Sequence, residues 1–61
     1  MSFKIYIAPK TTEESKIKSD EFLVGEEVER DKAHTLLLEK LNYANQCFCV
    51  LDVVTGREWI G

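Results

Sequence analysis

Hydrophobic and polar residues alternate from the start of the chain. Phe3, Ile5 and Ile7 fall on one side of an extended segment, with Lys4, Tyr6 and Ala8 on the other. A period of two marks a half-buried strand, so the pattern predicts one over residues 3–8. Pro9 has no N–H to give to a ladder, which predicts that the strand ends there or runs along a sheet edge.

Residues 10–20 break the pattern, with Ile17 as their only large apolar side chain. Thr11 and Glu14 stand at capping-box spacing, and Glu14 and Lys18 in the favourable i,i+4 order. A single helical turn is marginal alone, so the segment reads as a mobile surface loop. A loop of this length in so short a chain is a candidate for function.

Alternation returns over 21–28, where Phe22, Val24 and Val28 share one side and Leu23 takes the other. This predicts a second strand, weakened at Gly25, where a bulge fits. Asp31 suits a helix N-cap, and Ala33, Leu36, Leu37, Leu41 and Ala44 follow at helical spacing, with Leu38 broadening the stripe. Asn42 and Asn45 supply the stop, because Asn tolerates the left-handed conformation. Each leucine buried on this face contributes roughly 1.5–3 kcal/mol.

The run Cys47–Val54 is nearly continuous in apolar residues, and Thr55-Gly56 then leads into Arg57-Glu58-Trp59-Ile60. This is a hairpin. A four-residue loop on a type I turn lets the Asp52 carboxylate cap the loop amides and puts Gly56 in the left-handed position. Asp52 then faces Arg57 and Val50 faces Trp59. A three-residue loop would instead set Asp52 against Glu58, which like-charge repulsion disfavours.

Together these elements predict an α+β fold, β-β-α-β-β, with a mostly antiparallel sheet and one helix on one face. The chain opens on Met1 and reads as one whole domain over 1–61. One helix covers one sheet face, yet the third strand is apolar on both. Cys47, Cys49 and Leu51 lie on one side; Phe48 and Val50, joined by Trp59, lie on the other. Strands buried on both faces look like this. The expectation is therefore that the second face packs against another chain, a second copy or a different protein. Phe48, Val50 and Trp59 carry the contact with Tyr6 in support, and Val53 and Val54 at the hairpin tip are a second candidate. The competing expectation is that the 10–20 segment folds back, or that the helix covers the bulky face.

Composition narrows the function. Hydrophobic residues are 44% and charged residues 31%, which suits a folded domain rather than disorder. A chain this short buries only ~60% of its unfolded surface, so its stability margin is small. No stretch reaches ~18 apolar residues and the N-terminus has no secretion-signal order, which predicts a cytoplasmic protein without a membrane span. Net charge is −3, and eight of the eleven acids lie between Glu13 and Asp31. Those acids disfavour nucleic acid as a partner. They also open an alternative, an acidic mimic of nucleic acid; a second alternative is a minimal RNA-binding module using Phe3, Tyr6, Phe48 and Trp59.

Catalytic chemistry finds little support. His34 is the only histidine, and Cys47 and Cys49 sit two apart in an apolar strand. That spacing is about 7 Å, too far for an unstrained disulfide. One Cys-x-Cys and one His give too few ligands for a closed zinc site. Isolated glycines form no phosphate loop. No enzyme, metal or cofactor is expected; the function expected is a small regulatory or inhibitory protein acting by contact.

Overall fold

The computed structural model describes residues 2–61. Strands β1 (Phe3–Pro9), β2 (Leu23–Glu27), β3 (Gln46–Asp52) and β4 (Glu58–Ile60) form one sheet, with helix α1 (Arg30–Lys40) between β2 and β3 in the chain. The strand order is β2-β1-β3-β4 and every neighbouring pair is antiparallel. The β-β-α-β-β order and the α+β class stand as the sequence predicts.

β1 is an interior strand, not an edge. It pairs with β3 along its whole length, from Phe3↔Asp52 to Pro9↔Gln46. Pro9 is tolerated because of parity. The Lys10 amide donates to the Asn45 carbonyl on the β3 side, so the Pro9 nitrogen points the other way, where pairing with β2 has ended at Tyr6↔Leu23.

β2 is shorter than its apolar pattern. Ile5 pairs with Gly25 and Tyr6 with Leu23, leaving Val24 as the extra residue of a bulge. The bulge turns Val24 towards the helix, while Phe22 and Leu23 pack on the opposite face; Val28 lies beyond the strand, 69% exposed. A Cβ on Gly25 would stand 2.4 Å from the Leu36 Cδ2 atom, so the missing side chain makes room for the end of Leu36.

The helix begins two residues earlier than an Asp31 cap requires. Glu29 occupies the N-cap with extended backbone and no side-chain hydrogen bond, and Asp31 sits in the first turn, where its charge favours the helix dipole. The helix ends with Leu41 in an extended conformation; the Asn42 carboxamide then accepts from the Ala44 amide, closing a turn without a left-handed residue. Ala44 is exposed in that turn and does not join the apolar stripe.

Two cores result. On the helix side Ile5, Ile7, Ala33, Leu37 and Leu41 are buried together. On the other side Tyr6, Ala8, Cys49 and Ile17 are buried, with Phe22, Leu23, Cys47 and Leu51 around them. Ile17, only 2% exposed, belongs to the segment expected to be a mobile loop. Two 3₁₀ turns, Glu14–Lys16 and Asp20–Phe22, fold that segment back onto the sheet. Lys18 then forms an ion pair with Glu58 on β4, forty residues away.

The competing expectation is the one the structure takes: the helix lies on the face of Phe48 and Val50, and the 10–22 segment folds back over the cysteine face through Ile17 and Phe22.

Candidate functional site

The hairpin adopts the register that the Asp52 argument requires, with Val50↔Trp59 and Leu51↔Glu58 paired. The Asp52 amide donates to the Arg57 carbonyl and the Gly56 amide to the Asp52 carbonyl. The Asp52 carboxylate accepts from the amides of Val54 (3.0 Å) and Thr55 (3.3 Å), and Gly56 has φ 77°. Partial burial pushes the Asp52 carboxyl pKa upward. The hydrogen bonds from Thr55 and Val54 and the nearby Arg57 charge outweigh it, so the net displacement is below the usual value. This loop fixes which way Trp59 faces.

Trp59 faces the helix side with Phe48 and Val50, and the helix meets it only through Arg30 at its first turn. α1 packs mainly on β1 and β2, so the β3–β4 half of that face is only partly covered. There Phe3 of β1 with Phe48, Val50 and Trp59 floors a groove of about 320 Å³. Arg30, Ala33, His34, Leu37 and Leu38 make the helical wall, and Tyr43 closes one end. Leu38 is 48% exposed and Tyr43 61%. Phe3 and Trp59 rings meet at 6.4 Å, tilted by 41°. The guanidinium groups of Arg30 and Arg57 lie 5.2 and 5.9 Å from the centre of the Trp59 ring.

Of the expected contact residues, Phe48, Val50 and Trp59 come together here. Tyr6 does not. It pairs with Cys49, one residue out of phase with the Ile5–Val50 pair, and is buried on the opposite face beside Ile17. The aromatic platform that Tyr6 was to complete is not assembled. Val53 and Val54 are exposed at the hairpin tip and lie outside the groove. The groove also uses Arg30, His34, Leu38 and Tyr43. The surplus leucine at position 38, beyond the width of a core stripe, was the available signal for these.

The cysteines and His34 stand apart. Cys47 and Cys49 are free thiols and pack on the second face, whereas His34 lines the groove on the helix side. The sheet separates them, so no thiol–imidazole pair forms. Burial raises the Cys49 thiol pKa, and the nearby Glu58 carboxylate adds to that. The eight clustered acids are divided among the 10–22 segment, β2 and the start of α1. Among the described residues no helix is long and apolar enough to cross a membrane. Among the described residues no three His, Cys, Asp or Glu side chains converge to hold a metal ion. Compared with protein-family models, with curated proteins and with solved structures, the chain matches none.

Proposed function

We propose that this chain is a small contact protein of the cytoplasm, regulatory or inhibitory in role, that holds a partner protein in the groove between α1 and the β3–β4 hairpin. The observation that supports this is the half-covered sheet face. Phe48, Val50 and the single tryptophan are left open there, and Leu38 and Tyr43 extend the apolar surface outwards from them. Contiguous apolar surface of this kind marks interaction sites, and Trp and Tyr are frequent anchors. At about 320 Å³ the groove is at the small end of ligand sites and suits one or two inserted side chains. His34 is the only general base along it, with no nucleophile beside it, so the reading is of a binder and not an enzyme. Free thiols fit a reducing compartment.

Sedimentation at micromolar concentration, together with affinity capture from the native host's lysate, tests the reading. Wild type is compared with Trp59→Ala and Leu38→Asp. The expected result is a captured protein, or a self-associated dimer, that both variants lose while circular dichroism shows them folded. Equal behaviour of all three chains would overturn it.

A further inference from the structure

The charges of the molecule are unevenly placed. The net charge is −3, yet the fully charged side chains at the groove are both cationic: Arg30 on its helical wall and Arg57 beside Trp59. Neither guanidinium is within ion-pair distance of a carboxylate among the described residues, where the pairs are Lys16–Glu13, Lys18–Glu58 and Lys32–Glu29, although the Arg57 charge also acts on the Asp52 carboxylate. Both instead stand against the Trp59 ring. Stacking on an aromatic ring restricts an arginine while leaving its forked donors free, and that fork matches a carboxylate.

Building on the reading above, we propose that the groove takes a short apolar segment of an acidic protein partner. The segment's anchor side chain rests on Phe48 and Val50, and its flanking carboxylates pair with Arg30 and Arg57. Charge also sets the other occupants aside. A twofold dimer closing groove on groove would bring the arginines of both copies into one interface, like charge against like. A nucleic acid strand needs a longer run of cations than these two, in a chain whose net charge is −3. A peptide segment ends its charge where the cations end.

Fluorescence anisotropy with three labelled probes tests this. Two are twelve-residue peptides with the same leucine and phenylalanine anchors, one flanked by Asp and Glu and the other by Lys; the third is a twelve-nucleotide oligouridylate. The proteins are wild type, the double variant Arg30→Gln/Arg57→Gln, and Leu38→Asp, each checked for folding by circular dichroism. Two exposed charge pairs give an expected preference of about tenfold for the acidic peptide at low salt. That preference should shrink with added salt and vanish in the double arginine variant, and binding should quench Trp59. Equal affinity for the two peptides, with both lost in Leu38→Asp, would overturn the charge preference and leave the contact groove standing. No binding of either peptide, or binding unchanged in Leu38→Asp, would overturn both. Stronger binding of the oligouridylate would reassign the groove to nucleic acid, and a wild-type dimer with Trp59 shielded would reassign it to a second copy.

Discussion

Replacing Ile17 with alanine tests whether the 10–22 segment is a packed layer or a decoration. Ile17 is the one large apolar side chain between Lys10 and Asp20, and it is 2% exposed against Tyr6, Ala8 and Cys49. The substitution removes three carbons. At about 0.8 kcal/mol for each buried carbon, the lost transfer energy is about 2.4 kcal/mol. A residual cavity beneath a segment tied down by Lys18 and Glu58 brings the total into the range of about 2–5 kcal/mol. A domain of this size commonly has a total stability of only ~3–5 kcal/mol. Urea denaturation followed by circular dichroism should therefore show the variant with most of its stability gone and its midpoint far below wild type. Leu38→Ala, at 48% exposure on the groove rim, should shift the midpoint by under about 1 kcal/mol. A thiol reagent gives the second readout. Cys49 is fully buried with a raised pKa and should be protected in wild type, then react readily in the Ile17 variant under folding conditions. A variant that unfolds at the wild-type urea concentration and keeps Cys49 protected would refute the covering-layer account.

Three further outcomes follow from single contacts. Gly25→Ala places a methyl within 2.4 Å of the Leu36 Cδ2 atom, which can turn aside, and should destabilise by under about 1 kcal/mol; a double-mutant cycle with Leu36→Ala measured by denaturation should show the two sites coupled. The lowered Asp52 pKa means that its contribution to stability is present above the ordinary aspartate value of about 3.9 and is lost as pH falls through the folded value. Acid titration of stability should show that component in wild type and not in Asp52→Asn, which keeps the turn hydrogen bonds without the charge. Replacing Gly56, whose φ is 77° with open space around it, by alanine should loosen the hairpin through backbone strain alone and shift Trp59 fluorescence without any steric contact.

Much of the fold is legible in local pattern. The alternation of Phe3, Ile5 and Ile7, the leucine stripe and the Asp52 to Gly56 turn chemistry each reflect forces within a few residues, and each appears in the structure. What escapes the pattern depends on distant neighbours. Nothing near Pro9 tells that β1 lies inside the sheet, because that follows from which strands flank it. The polar 10–20 stretch gave one hint of its role, an isolated isoleucine, and a lone apolar residue does not say what it will cover. Tyr6 lies on the face away from Phe48 because strand parity with Ile5, not aromatic character, sets the side it takes. The groove residues Phe48, Val50 and Trp59 were found through the hairpin register. Arg30, His34 and Tyr43 were not, since a cavity depends on how far the helix reaches across the sheet.

The strand order also shapes how the chain comes into being on the ribosome. The longest ladder joins residues 3–9 to residues 46–52, so the central pair of the sheet cannot close until residue 52 has been made. At about 5–20 residues per second the first strand emerges seconds before its main partner, with Ile5 and Ile7 bare in the meantime. The neighbouring β2, with Glu26 and Glu27 on it, can pair with β1 early and shield one of its edges. The fold should therefore assemble late and nearly at once, and nascent chains stalled before Gln46 should remain open to proteases.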